Sequence, residues 1–380
     1  MSEAVIPRSF SEAAAALAGA VAQERPVRVV GGATKLAWGG GAPARALQLH
    51  TSHLSRVVIH QDGVTATINA GTPLVRAQGM LARSGMMLAV DPQLGLGPKP
   101  VATVGGVVAT ADSGPLSHRH GPVTDQILGV TAALGNGRLL RTGPRTDHAE
   151  DGFDLTRLLA GSFGTLGVIL AVDVRLRPLP GQTATALATS ADPRALREAV
   201  GAITRAHPDL EAFDLAWHAG RGGLLAQLAG ETPATQAETV AATMRACGLQ
   251  GATVRTDDAS LWARQRAGQR SADRALLRVA HKTGALDDIL RLADAVDATV
   301  VGRAALGILY LTLAVSDISG VRAGLPAGSS AVALDLPASA RGAVDPWDVP
   351  EGPELELMRS IKSRYDPAGV CNPGIFVGSI

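Results

Sequence analysis

Cysteine is nearly missing from this chain of 380 residues: Cys247 and Cys371 are the only two, far apart and outside any CxxC spacing. That pattern argues against a zinc site or an iron-sulfur cluster ligated by this chain, and it suits a cytoplasmic setting. Lysine is scarce as well, occurring only at Lys35, Lys99, Lys282 and Lys362. These follow Thr34, Pro98, His281 and Ile361, so there is no Gly-Lys pair and a Walker phosphate loop is excluded. The Rossmann GxGxxG turn between a strand and a helix is also missing. No sign of charge dominates: the net charge is +1, which gives no general attraction to nucleic acid or to an anionic membrane. Apolar runs are short. "AALGILYLTLAV" from Ala304 to Val315 falls well below the ~20 residues a spanning helix needs. The early "EAAAALAGAVAQE" lacks the basic flank of an export signal, and its period predicts a soluble helix capped by Ser11.

What is present is an interleaving of strands and helices up to about residue 180. Val64, Ala66, Ile68 and Ala70 alternate with Thr65, Thr67 and Asn69, the period of a half-buried strand. A helix is expected next, capped by Thr72, with Pro73 in its first turn, Leu74 and Leu81 two turns apart, and Gly85 at its end. "ILGVTAALGNGRLLRTG" has two apolar arms around Gly135-Asn136-Gly137 and predicts a hairpin. "DLTRLLAGS" predicts a short helix, and Val172, Val174 and Leu176 alternate with Asp173, Arg175 and Arg177 in a strand closed by Pro178 and Pro180.

From Gly181 the spacing changes. "GGLLAQLAG", "AALGILYLTLAV" and "SSAVALDLP" predict strands, and "TPATQAETVAATMRACG" predicts a helix capped by Thr232 with Pro233 in its first turn. A length of 380 residues makes more than one unit the default, and the change of texture suggests a compact α+β second unit. After the linker-like "ASARGAVDPWDVPEGP", a last helix carries Leu355, Met358, Ile361 and Tyr365 in one apolar stripe, which is expected to return to the first unit.

The glycines ask for an account. In "RVVGGATKLAWGGG" (Arg28 to Gly41) a β-branched strand stops at Gly31-Gly32. For an isolated pair two readings stand: a tight turn, or bare amides presented to an anion such as a phosphate. A second pair, Gly105-Gly106, follows about seventy residues later, trailed by Ala109 and Ser113-Gly114, and a third bare segment lies in "LLAGSFGTLGVI". Three such segments in one unit make sense as loops converging on one long ligand.

With "VVGGATKL", "ATVGGVVATADSG", "HGPVTDQILG", "GFDLTRLLAGSFGTLGVI" and the tail "YDPAGVCNPG" in this order, the chain resembles flavoproteins of the vanillyl-alcohol oxidase type. This is the PCMH-type FAD-binding fold, and the chain is most similar to the small FAD-binding subunit of bacterial glycolate oxidase. The resemblance is strongest over residues 26–178 and 355–376. It implies an α+β protein with a two-subdomain PCMH-type FAD-binding domain over 1–180, an α+β cap or substrate domain over 181–345, and a C-terminal segment, 346–380, packing back on the FAD domain.

The resemblance also implies roles. Gly31, Gly32, Ala33 and Thr34 would hold the FAD pyrophosphate, with Lys35 as a charge partner. Thr103, Gly105, Gly106, Ala109, Ser113 and Gly114 would line the isoalloxazine and ribityl side. Gly164, Gly167, Val168 and Ile169 would close on the adenine end, and Asn372 would return to the flavin. The first glycine segment has no histidine, so FAD is expected to be dissociable. His118 and His120 are open to two readings, polar loop residues or a base, anchor or attachment point near the flavin. Arg264 and Arg266 are candidates for gripping a carboxylate. His50, His53 and His60 lack a spaced carboxylate set and are expected at the surface; no metal site is expected.

Two departures bear on function. Glycolate oxidase small subunits usually read Lys-Asn-Val-Ala-Gly-Tyr-Asp-Leu where this chain has His148-Ala149-Glu150-Asp151-Gly152-Phe153-Asp154-Leu155. The metal-binding histidine pair of the larger catalytic subunit has no counterpart among the separated His207, His218 and His281. Two functions therefore stay open. One is a subunit that accepts or relays electrons through FAD, beside a larger catalytic FAD subunit and an iron-sulfur subunit that could hold it at the inner membrane. The other is a self-sufficient FAD-dependent oxidoreductase acting on a 2-hydroxy acid or other small alcohol. The enolpyruvyl reductase flavoproteins share the fold but not the "DPAGVCNPG" tail.

Overall fold

Among the described residues four sheets organise the chain: one of eight strands, one of five, one of three, and a short pairing of Met86–Met87 with Arg177–Pro178. The computed structural model describes residues 3–96, 101–143, 154–271 and 273–380. The β-branched Val27–Val30 pairs in parallel with Leu47–His50, which pairs in parallel with Ala4–Val5. Helix Phe10–Ala22 covers this sheet with Ala13, Leu17 and Ala20. Its cap is Ser9, not Ser11: the Ser9 hydroxyl accepts from the Glu12 amide at 3.1 Å, while the Glu12 carboxylate accepts from the Arg8 amide at 2.8 Å. The Ser-x-x-Glu spacing sets the start two residues earlier than the apolar period suggests.

The second sheet is antiparallel, in the order Val57–Ile59, Thr65–Asn69, Gly167–Arg175, Ile127–Leu134, Leu139–Arg141. Ala66 and Ile68 are fully buried as the alternation predicts, and Val64 lies outside the strand and exposed. The expected hairpin forms between Ile127–Leu134 and Leu139–Arg141, with Gly137 at φ +76° in its turn. Thr72 does not cap the helix Leu74–Ala82, whose cap position is Pro73 without a side-chain bond. The Thr72 hydroxyl instead lies 3.4 Å from the Arg56 carbonyl.

Residues 183–335 build an antiparallel sheet of eight strands. It is made of two βαββαβ units in tandem. The first comprises Thr183–Ser190, Pro193–Ala206, Ala212–His218, Arg221–Ala229, Pro233–Ala246 and Gln250–Arg255; the second comprises Ala275–Ala280, Leu286–Ala295, Thr299–Arg303, Ile308–Leu313, Ile318–Gly324 and Ser330–Asp335. The units join edge to edge where Ala212–His218 pairs with Thr299–Arg303, with Asp214 opposite Arg303. One face buries Phe213, Leu215, Val300 and Leu311 under the four helices of the two units. The other face turns Asp214, Arg303 and Tyr310 toward the first part of the chain; Asp214 and Arg303 are buried there, 2.9 Å apart.

The tail threads back. Helix Pro353–Tyr365 buries Leu355 against Val377 and Ile380, and Ile361 and Tyr365 pack on the core of the five-stranded sheet. Met358 leaves the stripe and is exposed. Lys362 donates to the Thr165 and Cys371 carbonyls at 2.6 and 2.9 Å and pairs with Asp366 at 2.6 Å. Cys371 then bridges to Val27, adding the tail to the parallel sheet. Among the described residues, no helix is long and apolar enough to cross a membrane.

Candidate functional site

The strand Val27–Val30 ends at Gly31, and the loop that follows walls a narrow cleft of about 100 Å³. The other walls are the segment Thr103–Thr110, the segment from Phe163 to Ile169, and the tail at Asn372 and Ile375. Among the described residues, none of the backbone amides from Gly31 through Lys35 donates a hydrogen bond within the protein. Amides left without a protein acceptor at a cavity wall bond instead to water or to a ligand. A run of such donors beside a cavity suits an anionic ligand. The loop turns at Ala33, whose φ of +57° is uncommon for a residue with a side chain.

The second glycine pair behaves differently. Thr103 caps the short helix Val104–Ala109 by accepting from the Gly106 amide at 3.3 Å, and the Gly105 amide donates to the Ala70 carbonyl at 2.8 Å. A side chain on Gly105 would meet the Ala70 carbonyl oxygen at 2.9 Å. One on Gly31 would fall on the Thr103 hydroxyl, and one on Gly32 on the Val101 carbonyl oxygen. Close approach of one protein segment to another therefore requires these glycines. A valine at 32 would collide with the Val101 carbonyl.

Lys35 and Thr34 also line the cleft, and Asp112 and Arg270, the latter from the connection before strand Ala275–Ala280, hold them. The Lys35 ammonium sits 3.1 Å from a carboxylate oxygen of Asp112, with both side chains buried, yet its geometry makes no hydrogen bond. It lies 5.5 Å from the Trp38 ring, and the Arg270 guanidinium lies 5.4 Å from that ring. Arg270 donates to the Thr34 carbonyl at 2.8 Å and pairs with Asp335 at 2.8 Å. The Trp38 indole nitrogen is a second buried donor without a partner.

Asn372 joins three segments. Its carbonyl oxygen accepts from the Val29 amide at 3.0 Å and its amide nitrogen donates to the Phe163 carbonyl at 2.7 Å. Phe163 and Gly164 both have positive φ, +55° and +71°, and the Phe163 ring packs edge-on against Trp347 at 5.1 Å.

Of the residues singled out in the sequence, Gly31, Gly32, Ala33, Thr34, Lys35, Thr103, Gly105, Gly106, Ala109, Gly164, Gly167, Ile169 and Asn372 all line this one cleft. Val168 does not: it points to the opposite side of its strand, into the core under the opening helix. Ser113 and Gly114 lie outside the cleft. The Ser113 hydroxyl accepts from the Val123 amide at 3.1 Å, its carbonyl accepts from Arg303 at 3.2 Å, and Gly114 packs on Asp91. The altered segment 148–153 lies outside the described residues.

His118 and His120 are not at the cleft either. They sit on the helical turn Ser117–His120, where the His118 ring packs edge-on against Phe213 at 5.9 Å and His120 pairs with Glu211 at 2.7 Å. Burial, followed by the charge of Arg119, lowers the His118 pKa. Arg264 is exposed, and Arg266 pairs with Asp91 at 3.3 Å. Burial pushes Asp91 up to about 6 against the pull of Arg266, and Asp214 up to about 6 against the pull of Arg303. These groups form a charged seam between the large sheet and the rest of the chain. The sequence reading missed Arg28, Trp38, Thr110 and Phe163 in the cleft wall. Arg28 carried a signal, a charge inside a β-branched strand. Among the described residues there is no cluster of three or more side chains able to hold a metal ion.

Comparison with known proteins agrees with this geometry. Residues 2–143 match the FAD binding domain family. The chain is 31% identical over 184 residues to the mitochondrial D-lactate dehydrogenase [cytochrome] of Arabidopsis thaliana, covering 48% of this chain and 31% of that protein. It is 32% identical over 163 residues to the glycolate oxidase subunit GlcE of Escherichia coli (strain K12), covering 42% of this chain and 45% of that protein. The chain thus spans less than half the length of these relatives. The fold is that of alkyldihydroxyacetonephosphate synthase, with a TM-score of 0.72 and 15% identity over 97% of this chain and 76% of that one.

Proposed function

With residues 2–143 forming a domain of the FAD binding family, we propose that this chain is the FAD-binding subunit of a 2-hydroxy-acid oxidase or dehydrogenase of the glycolate oxidase type. FAD supplies the acceptance of hydride or electrons that amino-acid side chains lack. The observation that carries the proposal is the run of amides from Gly31 to Lys35 without acceptors beside the cleft, a donor set suited to a pyrophosphate. Lys35 and Trp38 add two buried donors without hydrogen-bond partners. Histidine, cysteine and tyrosine are absent from the described residues lining the cleft, which supports non-covalent binding.

The proposal extends to architecture. Residues 1–180 form the FAD-binding domain, 181–345 the cap, and 346–380 a segment that closes the cleft through Asn372. Within the cleft this chain's residues bind and orient: Asn372 fixes Val29 to Phe163, and Arg270 holds the loop at Thr34. Among the described residues, the titratable side chains lining it are Arg28 and Lys35, a poor set for taking a proton from a hydroxyl. A larger catalytic FAD subunit and an iron-sulfur subunit would supply the main substrate site and the exit for electrons, in the cytoplasm or at the inner membrane. Self-sufficient oxidation of a 2-hydroxy acid is the second reading, favoured by the Lys35 ammonium, a buried donor in the cleft wall without a hydrogen-bond partner.

The test starts from the purified chain. It is expected to be yellow, to release intact FAD on acid denaturation, and to be reduced slowly by glycolate or D-lactate in anaerobic stopped flow until co-purified partners are present. Fast stoichiometric reduction without partners establishes the second reading. Folded, colourless protein that ignores added FAD overturns both.

A further inference from the structure

On the other flank of the loop from Gly32 to Leu36 lies an open recess of about 660 Å³. Its wall carries Arg28, Arg270 and Arg341, and the described residues lining it include no carboxylate. Arg270 is neutralised by Asp335. The other two are not neutralised. Arg28 donates to the Leu36 carbonyl and Arg341 donates to the Leu336 carbonyl at 3.2 Å, both neutral acceptors. Arg28 and Arg341 are also close enough to oppose each other: burial, then the charge of Arg341, lowers the Arg28 pKa. Elsewhere in the seam each arginine faces an acid, Arg266 with Asp91 and Arg303 with Asp214. An anion bound between the two guanidinium groups would offset both charges.

We infer that Arg28 and Arg341 form an anion site at the mouth of the cleft that takes the carboxylate of a small organic acid. This rests on the proposed function for its ligand class and goes beyond it in locating the site, away from Arg264 and Arg266. A guanidinium presents paired N–H donors that match the two oxygens of a carboxylate. The remaining wall, Ala42, Pro43, Ala44 and Ala46, is small and apolar and fits a short carbon skeleton. Arg28 belongs to both the recess and the cleft, so an acid held there lies next to the cofactor cradle. A phosphate shares the chemistry, but under the proposed function the loop amides would hold the cofactor phosphates.

The experiment uses the full chain loaded with FAD and titrates it calorimetrically with oxalate, which has no carbon-bound hydrogen to lose, and with oxamide, its uncharged isostere. Saturable oxalate binding and no oxamide binding are expected. Arg341→Gln, at an exposed position, should weaken oxalate at least tenfold and leave FAD affinity within about twofold. Arg28→Gln, checked by a melting curve, should weaken oxalate to a similar degree. The inference is overturned if oxalate fails to bind the parent protein, if oxamide binds as well as oxalate, or if Arg341→Gln binds oxalate normally. Loss of FAD affinity in Arg341→Gln with oxalate binding intact assigns the arginines to cofactor phosphates and likewise overturns it. Calorimetry needs no turnover, so a chain that relays electrons but ignores oxalate rejects this site alone. A chain that binds oxalate but is reduced by no acid, with or without partners, rejects the proposed function alone.

Discussion

Gly31-Gly32 and Gly105-Gly106 are the same dipeptide set against the same cleft, and they do different work. The first pair opens a loop whose amides have no acceptor inside the protein; in the second, Gly105 donates to Ala70 and Gly106 to the Thr103 hydroxyl. The missing side chains also matter differently. At 31, 32 and 105 they make room for another protein segment, whereas at 106 the nearest atom to an added methyl is Thr103 Oγ1, 3.3 Å away. Bareness thus serves donation at one pair, packing at both, and an open cleft wall at Gly106.

The largest effect should come from Gly32→Val. The branched side chain falls on the Val101 carbonyl, so the variant should lose FAD binding and be destabilised together, by roughly 3 kcal/mol or more in chemical denaturation. Lost FAD affinity with an unchanged denaturation midpoint would show that the side chain enters the cleft instead, and would break the comparison. Gly105→Ala should come next, at roughly 1–3 kcal/mol, because the methyl meets Ala70. Its FAD affinity should fall only as far as the short helix is displaced, which equilibrium flavin fluorescence can follow.

Thr103→Val keeps the shape of the side chain and removes the cap. A loss of about 1 kcal/mol is expected in the same denaturation assay. A neutral result would mean that the hydroxyl contributes nothing to holding the helix. Gly106→Ala should be the mildest for stability, unchanged or gaining up to ~1 kcal/mol from helix propensity. Its added methyl narrows the cleft, so a weaker FAD titration with an unaltered melting curve would separate the two uses of the pair; destabilisation equal to that of Gly105→Ala would erase the distinction.

Most of the cleft wall was legible because it is local. Glycine runs, the Ala66–Ile68 alternation and the tail motif with Asn372 declare themselves within short windows. Val168 was also legible in principle, since period two puts it opposite Gly167 and Ile169. Contacts between distant segments were not. Nothing near Asp214 announces Arg303, 89 residues later, and nothing near Thr34 announces Arg270. The doubled βαββαβ unit was hidden because its halves share a pattern of elements while their residues differ. His118 and His120 stood open to two readings from sequence, and in the fold they turn toward Phe213 and Glu211.

Asn372 has a consequence for the order in which the molecule is made. The strand it fastens to leaves the ribosome early, and the side chain that completes the bond follows 343 residues later. Until then the nascent chain has all three glycine segments and the large sheet in hand, but the join between Val29 and Phe163 stays open. Contacts of such long sequence separation form slowly. The cofactor should therefore meet a half-built basin during synthesis and be retained only once the tail arrives, making this short asparagine-bearing turn the latch that sets when the protein becomes a holoprotein.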